Sequence, residues 1–165
     1  MIEFVATAAV SFITMEPVSY LMHRFVMHGA GWPVHADHHS AGGGGFERND
    51  VFPASFSLFA ASLFAAGAAG AGALFVAAGV GMTVYGVAYL YVHEVCIHER
   101  LAVGPGRRRY VAWLRAMHRI HHLYGGEPYG MLLPVVPREL RRRAHDDDRD
   151  PFLRACSTRE IRSRL

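Results

Sequence analysis

The chain lacks lysine altogether, and all 17 of its basic residues are arginine. It has only two cysteines, Cys96 and Cys156, which are too few for a disulfide framework and too far apart for a zinc motif. Charged residues make up 19% of the 165 residues, below the roughly 25% typical of soluble domains. With 52% hydrophobic and 12% aromatic residues, the composition excludes an intrinsically disordered chain and fits one domain with a sizeable core.

Charge is also missing from the middle of the chain, where the 42 residues from Val51 to Val92 include no charged residue and no histidine. As one helix this run would extend about 63 Å, which is twice the hydrocarbon core of a bilayer. The small residues at 67–73 lie in its middle and predict a tight hairpin. The sequence therefore predicts three membrane spans, near Ile2–Met22, Val51–Ala66 and Leu74–Val95.

Two other interpretations of the apolar runs are disfavoured. A water-soluble helical bundle needs helices with a polar face, and an uncharged run of this length offers none. A cleaved signal peptide needs basic residues before its apolar stretch, and Glu3 stands there instead. Pro17 would kink the first span without forbidding it, because neighbouring helices can satisfy the freed carbonyl.

The arginines predict the orientation of the spans. Arg24 and Arg48 flank the loop after the first span, and the other fifteen lie at Arg100 or beyond. By the positive-inside rule, this loop and the C-terminal half are cytoplasmic and the N-terminus lies outside the inner (plasma) membrane. The segment Tyr129–Val136 is apolar but too short to span, which is typical of a re-entrant or interfacial segment.

We therefore expect an all-α integral membrane helical bundle of about three spans with a cytoplasmic, histidine-rich helical cap. Residues 1–137 would form the membrane domain, and residues 138–165 would form a charged cytoplasmic tail to which we assign no chemistry.

Ten of the eleven histidines form two copies of one pattern, H-x4-H followed by H-x2-H-H. Each H-x4-H lies at the predicted cytoplasmic end of a span, and each H-x2-H-H follows in the adjoining region. The first copy comprises His23, His28, His35, His38 and His39, and the second comprises His93, His98, His118, His121 and His122. His145 stands outside the pattern and is expected to be a surface residue.

The spacing of these motifs predicts metal binding. Residues at i, i+3 and i+4 share one helix face, so an H-x2-H-H motif offers two or three imidazoles to one point. Residues at i and i+5 are rotated by about 140° in a regular helix, so an H-x4-H motif serves one metal only if the helix bulges or frays, or else it serves two metals. Ten clustered imidazoles without metal would repel when protonated or leave buried nitrogens unsatisfied. Ten nitrogens exceed the need of one ion, so two ions are predicted.

Ligand type alone does not identify the metal, because imidazole suits iron, zinc, copper and nickel. The pair His93-Glu94 resembles the start of an H-E-x-x-H zinc protease helix, but the second histidine, His98, comes one residue late. A bis-histidine haem would need histidines in mid-membrane, and the run Val51–Val92 has none. Two irons acting with dioxygen on an apolar substrate fit the motifs and the membrane setting best.

Together the motifs resemble a known family. The stretches MEP-x5-HRFVMHG, HADHH, GGFERND, HEVCIHER and HRIHH are similar in order and spacing to the bacterial β-carotene 3-hydroxylases. These are membrane di-iron enzymes of the fatty-acid hydroxylase and sterol desaturase superfamily. The resemblance covers about Met15 to Pro137, and the chain beyond about Arg138 departs from it.

The resemblance implies an activity, cofactors and partners. Such enzymes use O2 and two electrons to hydroxylate β-ionone rings at C3, converting β-carotene through cryptoxanthin to zeaxanthin. It implies that the ten motif histidines hold two Fe ions, for which Zn or another divalent metal could substitute in a purified sample. It also implies a carotenoid substrate taken from the bilayer lipid and a ferredoxin-type electron donor, and no nucleic-acid partner is expected.

Several polar residues are candidates for orienting the histidines. Glu16 lies seven residues before His23, two turns away on the same face of the first span. Weaker candidates lie next to the motifs or before the second span: Asp37, Asn49, Asp50 and Glu94. The pair Asn49-Asp50 also fits a helix N-cap.

The arginines Arg107, Arg108 and Arg109 are candidates for docking an acidic electron donor. Their alternative role is simple positive-inside anchoring. Two alternative functions remain open at this stage: a hydroxylase or desaturase of another lipid, such as a fatty acid or sterol, and a histidine-rich metal carrier or sensor without enzymatic activity.

Overall fold

The computed structural model describes residues 1–40, 45–100 and 109–152, and these residues form helices and turns without any strand. The α-helices are α1 (Ile2–Leu21), α2 (Trp32–His35), α3 (Val51–Ala66), α4 (Ala73–Leu90), α5 (Arg109–Tyr124) and α6 (Arg138–His145). Two π-helical segments extend α1 and α4 directly, at Met22–Ala30 and Tyr91–Ile97, and a third, Gly67–Ala71, follows α3. A short 3-10 turn at Arg48–Asp50 leads into α3.

Three continuous helical stretches are long and apolar enough to cross a membrane, namely Ile2–Ala30, Arg48–Ala71 and Ala73–Ile97. The predicted all-α fold with three spans is therefore confirmed. The first stretch is longer than predicted, because the π-helical segment carries the helix eight residues past Met22. Pro17 lies inside α1, which continues to Leu21.

The predicted hairpin between the second and third spans is confirmed at the small residues 67–73. Gly70 and Gly72 have φ of 98° and 107°, in the left-handed region that only glycine adopts without strain. The methyl group that an alanine would add at Gly67 would lie 2.4 Å from a methyl carbon of Val76. Glycine therefore permits both the reversal of the chain and the close start of α4.

Helix α4 packs against both α1 and α3, and small residues on α4 let these helices approach closely. The backbone of α1 crosses at Gly81, where an added Cβ would lie 2.1 Å from the carbonyl oxygen of Ala8. The Ser11 hydroxyl donates a hydrogen bond of 2.8 Å to the carbonyl oxygen of Ala78 across the same contact. On the other side, Gly79 faces the ring of Phe64.

The outward faces of the spans carry large apolar side chains that remain exposed in the protein alone, such as Ile13, Leu58 and Val87. Exposed apolar surface of this extent is typical of contact with lipid hydrocarbon. Small residues thus let the spans approach closely, while many of the bulky residues face outward.

Beyond the spans, two small cores join α5 to its neighbours. Leu114 of α5 packs with Val92, Ile97 and Met131. Further along α5, Ile120 packs with Val136 and with Ala144 of α6. Helix α6 lies in the region that the sequence predicts as a separate charged tail, and it packs on the helix that carries the last histidine motif.

The close approach of α1 and α4 yields a testable prediction. Gly81→Ala should lower the stability of the detergent-solubilised protein by about 1–3 kcal/mol, because the new methyl group meets backbone that cannot move aside cheaply. Gly86→Ala is the matched control, since nothing lies within 4 Å of its added Cβ on the same helix. The midpoint of thermal unfolding measures both, and equal midpoints for the two variants would contradict this packing.

Candidate metal centre

The ten motif histidines converge in two adjacent groups at the ends of the first and third spans. In each group one ring nitrogen per residue lies within 4.8 Å of all the others. We call the first group site A and the second site B. Site A comprises His23, His28, His35, His39 and His121, and site B comprises His38, His98, His118 and His122. His93 adjoins site B, with its Nε2 3.1 Å from Nε2 of His38.

The two copies of the histidine pattern exchange one residue. In the first copy His35 and His39, at i and i+4, lie in site A, and His38 lies in site B. In the second copy His118 and His122 lie in site B, and His121 lies in site A. Each H-x2-H-H motif therefore divides between the sites instead of converging on one point, and each site needs both halves of the chain.

The first H-x4-H motif lies on a π-helical segment, and the second begins on one at His93 and ends at His98, one residue past it. In the second motif the amide of His98 donates to the carbonyl of His93 at 2.9 Å, an i→i+5 bond that widens the helical turn. The wider turn reduces the rotation between residues five apart. Of the two alternatives left by the sequence, the helix bulges, and His23 and His28 face the same site with ring centroids 5.1 Å apart.

The rings share one orientation, with Nε2 pointing inward and Nδ1 outward. Five Nδ1 atoms lie at 2.6–3.0 Å from oxygens that can only accept, so each of these Nδ1 atoms carries the hydrogen and donates it. The pairs are His23 with the Tyr129 carbonyl, His35 with Asn49 Oδ1, His38 with Glu47 Oε2, His93 with Glu94 Oε1, and His121 with the Gly126 carbonyl.

This orientation fits metal ions between the rings. Because Nδ1 holds the hydrogen, the inward Nε2 of a neutral ring presents a lone pair. The Nε2 atoms of His23 and His35 are nevertheless 3.2 Å apart, and those of His38 and His93 are 3.1 Å apart. Two facing lone pairs at this distance repel unless a cation lies between them. Nitrogens bound to one ion at about 2.0–2.1 Å would lie about 3 Å apart, which matches.

Burial keeps the histidines in the neutral form that binds metals. Burial, against the opposing effect of the Asn49 hydrogen bond and with the help of neighbouring histidines, lowers the pKa of His35 to about 3. The pKa values of His118, His121 and His122 are also held well below their usual value, first by burial and then by other histidines of the two sites. Protonation does not compete with coordination at neutral pH under these conditions.

Arg100 joins the carboxylates beside site B. Its guanidinium donates to both oxygens of Asp50 at 2.9 Å and to Glu94 Oε2 at 2.8 Å. Asp50 in turn accepts the backbone N–H of Glu47, the residue whose carboxylate holds His38. One arginine thus fixes the acceptors of His38 and His93, and these carboxylates raise the pKa of Arg100. The surplus of negative charge would balance part of the charge of any cation bound there.

Some of the residues predicted to orient the histidines contact them, and others do not. Asn49 and Glu94 do contact histidine Nδ1 atoms. Asp37 instead accepts the backbone N–H of Arg48, and Asp50 contacts Arg100 and Glu47, so neither contacts a histidine directly. Asp50 occupies the N-cap position of α3, but its side chain caps the preceding 3-10 turn.

Glu16 requires the clearest correction, since its hydrogen bonds go to a loop and a tyrosine instead of a histidine. Its carboxylate accepts the N–H groups of Met131, Leu132 and Leu133 at 2.9–3.0 Å and the hydroxyl of Tyr85 at 2.7 Å. These amides belong to a non-helical loop that would otherwise leave them unsatisfied near the membrane. Glu16 acts on site A only indirectly, because the same loop carries the Tyr129 carbonyl that holds His23.

Three acceptors escape detection in the sequence. Glu47 lies inside the FERND stretch, nine residues after His38, and no motif spacing marks it. The carbonyls of Gly126 and Tyr129 are backbone atoms, which leave no side-chain signal.

Of the arginine cluster, Arg107 and Arg108 lie outside the described residues, and Arg109 is exposed at the start of α5. His145 is exposed, as expected.

Three proteins named as beta-carotene hydroxylases are similar in sequence to this chain. The chain is 38% identical over 136 residues to a beta-carotene hydroxylase of Pseudescherichia vulneris, covering 79% of this chain and 77% of that protein. It is 36% identical over 119 residues to a beta-carotene hydroxylase of Pantoea ananas, covering 72% and 67%. It is 35% identical over 159 residues to beta-carotene 3-hydroxylase 1, chloroplastic, of Arabidopsis thaliana, covering 91% of this chain but only 51% of that protein.

No solved structure matches the chain significantly. A family model described as fatty acid hydroxylase matches residues 8–139, which include all ten motif histidines. The resemblance predicted from the histidine motifs is thereby confirmed. The chain belongs to the fatty acid hydroxylase family, and it is an enzyme of the oxidoreductase class.

Proposed function

We propose that this protein hydroxylates β-ionone rings of carotenoids at C3, using O2 and two iron ions held at sites A and B. The observation that carries the proposal is the convergence of ten imidazoles on two adjacent sites beyond the spans of a chain that is 38% identical to a beta-carotene hydroxylase. The overall reaction takes one O2, two electrons and two protons, and yields one alcohol and one water.

The metal would supply the redox chemistry with O2 that inserts oxygen into an unactivated C–H bond. All ten motif histidines are proposed as ligands, with His93 serving site B. An all-imidazole donor set suits iron as well as zinc, copper or nickel, and the oxidative activity named for the relatives favours iron.

The chain's own residues fix the donor atoms. Asn49, Glu47 and Glu94 hold Nδ1–H groups, so the lone pair of each ring stays at Nε2 and points at the sites. Arg100 holds the Glu94 carboxylate directly. It holds Glu47 indirectly, through Asp50, which accepts the backbone N–H of Glu47. Burial of the rings excludes water and protons from the same nitrogens.

The position of the sites suits a substrate that arrives through the bilayer. His23 and His93 lie on the π-helical ends of two spans, so the metal centre begins where the apolar helices end. The loop pinned by Glu16 carries the exposed apolar side chains Leu133 and Val135 next to these ends. We propose that this loop lies at the membrane interface and forms part of the wall of the substrate site.

We further propose the orientation and partners. The arginine distribution supports an inner (plasma) membrane location with the N-terminus outside and the histidines and C-terminus cytoplasmic. A ferredoxin-type donor would supply the electrons from that side. The exposed Arg109 and its neighbours Arg107 and Arg108 are the proposed contact with its acidic surface.

A second candidate is hydroxylation of another lipid, which the description of the matching family favours. It would use the same metal centre, so the substrate alone separates the two. A metal carrier is disfavoured, because its ligands should be accessible and exchangeable, whereas five of the nine histidines of sites A and B are buried, and four of these five are held through Nδ1.

Expression in a bacterial host that accumulates β-carotene tests the substrate. We expect zeaxanthin, with cryptoxanthin as an intermediate, in cultures grown in air and neither pigment in cultures without oxygen. Pigments are measured by chromatography. Unchanged β-carotene in air, together with new hydroxylated fatty acids or sterols, would favour the second candidate.

The exchange of histidines between the sites predicts that His121→Ala and His38→Ala each affect the whole centre. We expect bound iron to fall and hydroxylation to be lost, because each residue supplies its site with the only imidazole from the other H-x2-H-H motif. Iron per chain is measured in protein purified from membranes. His145→Ala is the control, being exposed and outside both sites. Normal iron content with full activity in either variant would refute the assignment.

Arg100 provides a separate prediction about the carboxylates. Arg100→Gln should weaken metal binding about 10-fold or more, since loss of the guanidinium frees Glu94 and Asp50. Arg100→Lys should lie between Arg100→Gln and the unsubstituted protein, because one ammonium cannot contact both carboxylates with the same geometry. Metal affinity is measured by competition with a chelator. Arg142→Gln, at an exposed position on α6, should match the unsubstituted protein.

A further inference from the structure

An aromatic ring from outside the family-matched region lies against site B. The family match ends at residue 139, yet the ring of Phe152 lies parallel to that of His118, with ring centroids 6.0 Å apart. The same ring meets His98 and His122 edge-on, at centroid distances of 5.0 and 5.1 Å. Phe152 thus contacts three of the four histidines of site B.

Other groups cover part of the remaining surface of this ring. The guanidinium of Arg115 lies 5.3 Å from the ring centroid, and it is fixed by the carbonyl of Ile97 at 2.9 Å and by Glu99 at 2.6 Å. Phe152 packs on the apolar core that includes Leu114. The ring therefore fills the space between α5 and the π-helical segment Tyr91–Ile97.

The segment that carries this ring is attached to the helix that carries the histidines. Arg119 of α5 donates to the carbonyls of Ala144, Asp147 and Arg149. Further along α5, the Tyr124 hydroxyl donates a hydrogen bond of 3.1 Å to the Asp147 carboxylate. Residues 144–152 are thus bonded along α5, beside His118 and His122.

Site A has an equivalent aromatic ring. The histidines of site A that correspond to His98, His118 and His122 in the repeated pattern are His28, His35 and His39. Trp32 contacts these three, with centroid distances of 5.2, 6.1 and 5.4 Å. Each site therefore has one aromatic ring against the same three positions of the repeated pattern.

We propose that residues 144–152 form an aromatic cover over site B, in which Phe152 is a positioning residue that orients three histidines and excludes water. His98 and His122 are only half-buried even with this ring in place, so its removal would open them to water. An apolar layer around a metal controls the access of solvent to the ligands. This inference rests on the proposed metal centre and extends it to residues to which the sequence assigned no chemistry.

The test is the release of metal from the full chain, purified in detergent and loaded with Zn²⁺ in place of iron. After addition of a water-soluble chelator, Phe152→Ala should release one of the two ions about 10-fold faster and leave the other unchanged. Trp32→Ala should accelerate only the other ion. Phe152→Leu should restore most of the slow release, because leucine keeps an apolar cover. Asp148→Ala, at an exposed position of the same segment, should behave as the unsubstituted protein.

Each other outcome is decisive. Unchanged release in Phe152→Ala would overturn the cover. Equal acceleration of both ions, with no rescue by Phe152→Leu, would also overturn it, because that pattern indicates general loosening of the fold. If the unsubstituted chain bound no Zn²⁺, Co²⁺ or Fe²⁺, the metal centre itself would fail, and the cover with it. A chain that binds two ions but shows no effect of Phe152 would refute the cover alone.

Discussion

The arrangement of the histidines depends on a repulsion between the lone pairs of their ring nitrogens, which cations between the rings would relieve. Hydrogen bonds on the outer side of the rings leave the lone pairs of His23 and His35, and of His38 and His93, facing each other at little more than 3 Å. Burial removes the alternative of protonation. The helices, the loop pinned by Glu16 and the carboxylates around Arg100 all hold the rings in an arrangement that bound cations would make favourable.

The π-helical segments connect the membrane to this arrangement. A regular helix would point the two histidines of an H-x4-H motif in different directions, and the wider turn aligns them. These wide turns occur at the ends of the first and third spans, where packing on small residues such as Gly81 gives way to polar contacts. The same helices therefore serve as lipid-facing spans and, one turn later, as ligand supports.

Much of the fold and part of the site could be predicted from the sequence. The uncharged run and its glycines predicted the spans and hairpin, since hydrophobicity and positive φ leave direct marks on residue type. The partner of Glu16 could not be predicted, because backbone amides of a distant loop carry no signature. The exchange of His38 and His121 depends on how two helices face each other, and spacing within one helix does not contain that information.

The exchange of one histidine between the halves also bears on how the protein is made. While the chain is being synthesised, the first four histidines of site A emerge early, but His121 follows some eighty residues after His39. Site B also cannot be complete before α5 has been made, because His118 and His122 lie on that helix. Neither group of histidines can be complete before α5 has left the ribosome and met the first span, so a partly made chain carries no finished site into the membrane.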